Sequence, residues 1–259
     1  MVKTIAISSG KGGVGKTSLA VNSSVRLSME GKRVALLDAD FGMANSHILL
    51  DQKVKNTVQD ILEGNIGIDE VVHETSSGLQ LIPGGSGILE LLNLDSKKRW
   101  EIIRSLDPLQ ERLDYLIVDT PAGASDASIE FAAACDKVIV VLVPEPTSFM
   151  DAYAFIKALN IEKNLQNVSV VVNLAGNASG AKKSFESFKK IVTKFLSIEV
   201  EYAGWLPKSS LMASSIVARK PVILNKSLDR TLKESFNFIA KYFLDFEVEK
   251  SSGIKFFNK

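Results

Sequence analysis

The chain has 259 residues, 46% apolar and 24% charged, which suits a soluble globular protein of one large domain or two small ones with a substantial core. Its 31 basic and 30 acidic residues nearly cancel, so the overall field gives no support to a nucleic-acid binder. One cysteine, Cys135, excludes an internal disulfide framework and suits a reducing compartment, while His47 and His73 lack zinc-ligand spacing. No signal peptide or apolar stretch of membrane-spanning length is read, so a cytoplasmic location is expected.

In chain order, the first element is the apolar run "TIAIS" (4–8), a strand, followed by "SSGKGGVGKTS" (8–18) and a helical pattern over 16–30. Two nucleotide-binding patterns fit the same glycines. Gly10, Gly12 and Gly15 satisfy the dinucleotide spacing G-x-G-x-x-G, and Asp38 could serve as its ribose-binding acid. Gly10, Gly15, Lys16 and Thr17 satisfy the phosphate-loop spacing G-x-x-x-x-G-K-[ST]. Lys16 decides between them. A cation against a helix N-terminus is unfavourable without an anion beyond it, and a triphosphate supplies that anion. Phosphoryl transfer also needs a lysine on the β/γ-phosphates and a hydroxyl on magnesium at this spacing. The loop is therefore read as a triphosphate site built from Gly10, Lys11, Gly12, Gly13, Val14, Gly15, Lys16, Thr17 and Ser18.

Further apolar runs follow at "RVALLDAD" (33–40), "LQLIP" (79–83), "YLIVDTP" (115–121), "KVIVVLVPE" (137–145), "VSVVVNL" (168–174) and "VEYAGWLP" (200–207). Such near-continuous runs indicate strands covered on both faces, as in a parallel sheet. Helical spacing is read at 126–135, 148–163, 180–196 and 227–244. Repeated β-α units argue for an α/β fold: a single doubly wound, mostly parallel sheet with helices on both faces, of the P-loop NTPase type. Domain organisation is read as 1–249 for the ATPase domain and 250–259 for a tail, with the composition break at "KSSG" (250–253).

Magnesium and water require carboxylates at strand ends. Asp119 closes "YLIVD" beside the phosphate loop, and Asp38 and Asp40 close the second strand in "LLDADFG", where a two-residue spacing puts both on one face. Acids at the carboxyl ends of parallel strands lie where open α/β sheets bind ligands. No N-K-x-D guanine-reading sequence follows Asn173, which favours ATP.

With these motifs in place, a resemblance emerges. "GKGGVGKT", with a lysine directly after its first glycine, resembles the deviant Walker A box of the MinD/ParA ATPases. "DADFGMAN" (38–45) is similar to their switch I and "VDTPAGAS" (118–125) to their switch II. The likeness continues through "LIPGGSG" (81–87), "PEPTSFMDAYAFIK" (144–157) and "GWLPKSSLMASSIVARKPV" (204–222), and so covers nearly the whole chain. The stretch at 144–157 is most like the flagellar-number regulator branch (FlhG/FleN-like), whereas the "TP" of 120–121 is closer to division-type sequences.

The resemblance implies two subunits that sandwich two ATP molecules, Lys11 of each reaching the other's phosphate. It implies Lys16 on the β/γ-phosphates, Thr17 as the magnesium ligand, Asp40 orienting the attacking water, and Asp38 and Asp119 in the magnesium shell. Asn173 matches the family's adenine-contacting asparagine, and the "LPKSS" segment (206–210), with Pro207, resembles the other wall of the base pocket. A slow, partner-stimulated ATPase is the implied activity, with a flagellar number or placement role. A homodimer with ATP is expected, and a flagellar signal-recognition-type GTPase, basal-body proteins or a transcriptional regulator as partners. Division-site placement and DNA partitioning are the rivals; near-zero net charge counts against the second. A nitrogenase-iron-protein role needs two cluster cysteines per subunit, and the chain has one cysteine.

The tail "GIKFFNK" resembles the family's C-terminal membrane-targeting sequence. As a helix it would share Ile254 and Phe257 on one face and point Phe256 away, and peripheral attachment to the inner face of the cell membrane is the expectation. In "AKKSFESFKKIVTK" (181–194) five lysines accompany an inward stripe of Phe185, Phe188 and Ile191, read first as a solvated helix and second as a partner or DNA patch.

Overall fold

The computed structural model describes residues 1–42, 44–85, 94–248 and 254–257. The first strand, β1 (Lys3–Ser8), feeds the glycine loop and α1 (Lys16–Met29). Then come β2 (Val34–Asp38), short helices α2 (Ser46–Leu49), α3 (Val58–Leu62) and α4 (Ile68–Val71), and strands β3 (His73–Glu74) and β4 (Gln80–Ile82). Helix α5 (Ser96–Ser105) precedes β5 (Tyr115–Asp119), α6 (Asp126–Ala133), β6 (Lys137–Leu142) and α7 (Pro146–Lys163). The chain continues with β7 (Asn167–Ala175), α8 (Ala178–Phe195), β8 (Glu199–Pro207), α9 (Ser210–Val217) and α10 (Arg230–Asp245).

Among the described residues the strands form one eight-stranded sheet in the order β3-β4-β2-β5-β1-β6-β7-β8. Every pairing is parallel except the β3–β4 edge. Alternation within the strands produces two cores. Ala6, Leu116, Val118, Val138 and Val140 face one layer, which α5 to α8 cover. Ile5, Ile7, Ile117, Ile139 and Val141 face the other, under α1 and α10. Burial on both faces explains why the runs read as continuous rather than alternating.

The predicted strands and long helices all occur, with ends shifted by one to three residues. The two-stranded edge at β3, the short helices α2 to α4, and α5 and α9 were not read from the sequence. Each is too brief or too weakly periodic to stand out, and each is held by contacts from elsewhere in the chain.

Residues 254–257 differ from the amphipathic-helix expectation. They are not helical, and Phe256 and Phe257 are both buried, at 0% and 1% exposure, while Ile254 is 55% exposed. Phe256 stacks on Phe131 of α6 at 6.4 Å between centroids, and its N–H donates to the Ala134 carbonyl at 2.9 Å. The Lys255 ammonium donates to the Ala133 and Cys135 carbonyls, both at 2.7 Å, where α6 ends. A cation there satisfies carbonyls that have no partner within the helix. Arg104 of α5 in turn donates to the Lys255 carbonyl. Burial of both rings won over the helical geometry because α5 and α6 offer an apolar slot. The other tail positions, 250–253 and 258–259, lie outside the described residues, as do Met43 and positions 86–87 of the motifs above.

Candidate nucleotide site

Three adjacent strands, β2, β5 and β1, end together at one edge of the sheet. Their register sets Asp38 beside Asp119, and Asp119 beside Ile7, one residue before the glycine loop's lead-in. The loop turns into α1 through Gly15, whose φ of +89° is a left-handed conformation that a side chain would strain. A Cβ on Gly10 would sit 2.1 Å from the Asp151 carbonyl carbon, so only glycine lets the loop rest on α7. No acidic residue occupies the first turn of α1, leaving its N-terminal N–H groups to an anion.

A cavity of about 450 Å³ opens here. Lys11, Lys16, Thr17 and Ser18 line it with Gly12, Gly13, Gly15 and Asp40. Val14 is buried beneath the loop, at 2% exposure. Asn45 and Ala122, from the switch-like motifs, also line it, together with Ile48, Leu49 and Ile216, which no motif marks. Ile48 comes from α2 and Ile216 from α9, and both are half-exposed apolar side chains at a polar site. Their placement depends on folding of distant segments, which no spacing in the chain reveals.

The two loop lysines hold different partners. Lys16, 7% exposed, donates to Asp119 Oδ1 at 2.7 Å, a buried ion pair. Lys11 reaches outward instead, to Glu145 Oε2 at 3.1 Å and Thr147 Oγ1 at 3.2 Å, at the start of α7. Asp38 is buried and accepts N–H bonds on Oδ2 from Asn45 at 3.0 Å and Ser46 at 2.8 Å. Burial and the neighbouring Asp119 push its carboxyl up to about 7, against the opposing Ser46 hydrogen bonds and Lys16.

Asp38 Oδ1 and Asp119 Oδ2 are buried with no hydrogen-bond partner. The two acids are neighbours in strand register, and buried carboxylate oxygens without a donor are what a hard dication would satisfy. The residues present therefore fit magnesium, with Thr17 supplying a hydroxyl at the cavity wall. Beside this floor, Thr120 donates to Ser8 Oγ at 2.9 Å and Gly123 N–H to the Ser9 carbonyl at 2.9 Å. Those bonds tie the segment after β5 to the glycine loop, so a change at one is felt at the other.

One expectation is revised, that Asp38 and Asp40 share a strand face, and two further residues are placed. β2 ends at Asp38, so Asp40 lies past the strand and the two acids do not share a strand face. Asp38, the last residue of the strand, accepts from the N–H groups of Asn45 and Ser46. Asn173 lies under the loop rather than along the cavity lining. Its amide donates to the Val14 carbonyl at 2.7 Å and accepts from the Leu174 N–H at 2.8 Å, so both ends are engaged. Pro207 ends β8 and also lies outside that lining.

Comparison with known proteins agrees with this construction. A family model described as "AAA domain" matches residues 2–172, and another, "NUBPL iron-transfer P-loop NTPase", matches 102–243. Antiactivator FleN of Pseudomonas aeruginosa is 34% identical over 221 residues, covering 85% of this chain and 79% of that protein. The chain belongs to the MinD/ParA family of P-loop ATPases. Flagellum site-determining protein YlxH of Helicobacter pylori is 33% identical over 219 residues, covering 84% of the chain and 74% of its relative. Among solved structures, Pyrococcus horikoshii MinD complexed with Mg-ADP superposes with a TM-score of 0.78 at 23% identity, covering 95% of this chain and 96% of that one. The MinC:MinD complex of Aquifex aeolicus gives 0.78 at 25% identity, with 97% and 99% covered. The Mg-ADP of the Pyrococcus horikoshii structure suggests nucleotide and Mg²⁺ as ligands of this family.

Proposed function

We propose that the chain is a nucleotide-timed switch: an ATPase that dimerises on Mg-ATP, hydrolyses it slowly until a partner intervenes, and regulates flagellar number or placement. The observation that carries dimerisation is the division of labour between the loop lysines. Lys16 neutralises the buried floor through Asp119, whereas the Lys11 ammonium is held at the rim by Glu145 and Thr147, turned from its own floor. A rim cation exchanges one anion for another at little cost, so Lys11 is suited to a phosphate brought by a facing copy.

The chain's own groups divide the remaining work. Lys16 leaves Asp119 for the incoming phosphates, which frees the Asp119 oxygen it held, while Asp38 Oδ1 is already without a partner. Thr17 completes that ligand set with Asp38 and Asp119. Magnesium held by these residues would supply positive charge to offset what develops on the phosphates. Asp40, at the cavity wall, orients a water for attack. Loss of the γ-phosphate removes the anion that holds Lys11 and the segments after β2 and β5, and the pair of subunits separates.

The flagellar role is supported by two relatives, FleN and YlxH, whose names concern flagella. A second reading, division-site placement, draws on MinD of Synechocystis, 32% identical over 232 residues. Sedimentation with Mg-ATP tests the switch. Asp40→Ala should accumulate dimer and Lys11→Ala should remain monomeric. A wild-type chain that stays monomeric with ATP and with a non-hydrolysable analogue would sink the mechanism. Counting flagella and mapping division sites in a deletion strain separates the two biological readings.

A further inference from the structure

Where β7 runs under the phosphate loop, its regular pairing gives way. Val172 of β7 pairs with Trp205 of β8 and Ala175 pairs with Pro207, so three steps along β7 match two along β8. The extra residue is a bulge, and Leu174 within it has a φ of +54°, a left-handed conformation rare for a residue with a large side chain. Bulges beside functional sites re-aim a neighbouring side chain. Here that neighbour is Asn173. Strand alternation already turns it to the face of α1, the side that Val171 shares.

Asn173 is 7% exposed, and its amide is engaged at both ends. Oδ1 accepts from the N–H of Leu174 at 2.8 Å, which fixes the orientation of the amide and aims Nδ2 at the loop. Nδ2 donates to the Val14 carbonyl at 2.7 Å. A Cβ on Gly15 would lie 2.2 Å from that same nitrogen, so the missing side chain is what admits the amide so close.

The direction of that bond has a consequence one atom further on. Among the described residues no peptide bond is cis, and in a planar trans peptide the carbonyl and the following N–H point opposite ways. With the Val14 oxygen drawn down to Asn173, the Gly15 N–H turns away from it, to the side where Gly15 lines the nucleotide cavity. We propose that Asn173 is a positioning residue for the phosphate loop, presenting the Gly15 N–H to a phosphate oxygen whatever base the ligand carries. A donor at the Val14 oxygen also polarises the peptide, so the Gly15 N–H becomes the better donor. A side chain reading the base would offer its own donor and acceptor to the ligand, and here both serve the protein. This role rests on the phosphate site proposed above, and the test separates the two.

Calorimetric titration of the full chain with Mg-ATP and with magnesium tripolyphosphate, which has no base, is the first measurement. Asn173→Ala should weaken both ligands by the same factor, about tenfold, the scale of leaving one buried acceptor without its donor. A loss for ATP that spares tripolyphosphate would overturn the proposal and make Asn173 a base contact. Unchanged affinity for both would overturn it equally. A second readout needs no variant: in wild-type chain carrying isotopically labelled glycine, the Gly15 amide resonance should move on saturation with tripolyphosphate. A Gly15 resonance that ignores the ligand would sink the idea. In Asn173→Ala, at saturation, that movement should shrink while the Gly13 resonance still responds; equal loss at both would mean a loosened loop and overturn the specific role. A wild-type chain that binds neither ligand fails differently, removing the phosphate site itself and this role with it.

Discussion

Two lysine-centred patches invite comparison. At the strand edge, Lys16 pairs with Asp119, but Asp119 Oδ2 and Asp38 Oδ1 are left buried and unpartnered. Under α5 and α6, Lys255 meets the Ala133 and Cys135 carbonyls while Phe256 and Phe257 fill an apolar slot. The first patch leaves two carboxylate oxygens without a donor, whereas in the second Lys255 meets two carbonyls and both rings are buried. Unsatisfied buried charge is costly and persists where something else is to bind, whereas a satisfied cluster serves the fold. The tail, which by composition looks like the more mobile of the two, is thus the structural one in its described part.

The contrast can be broken by mutation, and the largest effect should come from the first patch. Lys16→Ala leaves Asp119 and Asp38 uncompensated and removes the phosphate contact. ATP turnover should fall at least about 100-fold, the scale of losing one preorganised charge-stabilising donor. Nucleotide binding by calorimetry and turnover by phosphate release check it; retained turnover would mean the floor is not the reaction site.

Phe256→Ala tests the second patch. Removing a fully buried ring costs about 3–5 kcal/mol, or a drop of about 10 °C in Tm for a chain of this size. Turnover per folded molecule should hold. Liposome pelleting of the same variant sharpens the point: an unchanged Tm combined with lost vesicle binding would put the ring in lipid rather than in the body. Membrane attachment through this tail would first have to withdraw both rings from the core.

Titration separates the patches further. Asp38 has its folded-state carboxyl raised to about 7, above its ordinary value of 3.8. The folded chain therefore holds a proton that the unfolded chain releases, and stability falls as pH rises from about 4 to about 7, then levels off. In metal- and nucleotide-free protein, Asp38→Asn should raise Tm at pH 8 and change it little at pH 4. An equal shift at both pH values would point to packing instead of charge.

The smallest effect belongs to Glu145, whose pairing with Lys11 is half-exposed and is worth at most about 1 kcal/mol. Glu145→Gln releases Lys11, and the Mg-ATP concentration needed for dimer should fall by no more than about fivefold. Analytical ultracentrifugation reads this, and a dimer weakened by the substitution would show that Glu145 supports the contact rather than competing for the lysine.

Much of the candidate site was legible because its parts are contiguous or periodic. The loop from Gly10 to Ser18 and the acids closing β2 and β5 are set by strand–turn–strand and strand–turn–helix patterns that a linear sequence displays. Asp40 lines the same cavity as the loop although it lies beyond its strand. Asn173 was placed on the right strand, but its amide turns to Val14, a preference that only the packed loop creates. Ile48 and Ile216 had no signal, since nothing in their own neighbourhoods distinguishes them from other apolar helix residues.

Local chemistry thus fixed the identity of the phosphate loop, the parallel sheet and the floor acids, because glycine conformations, strand periodicity and lysine spacing act over a few residues. Tertiary structure alone decided that Lys11 rests on Glu145, that Phe256 and Phe257 join the core, and that Asn173 turns to Val14. Those outcomes depend on which surfaces meet across a hundred residues or more of chain, where burial and charge pairing compete and no spacing rule applies.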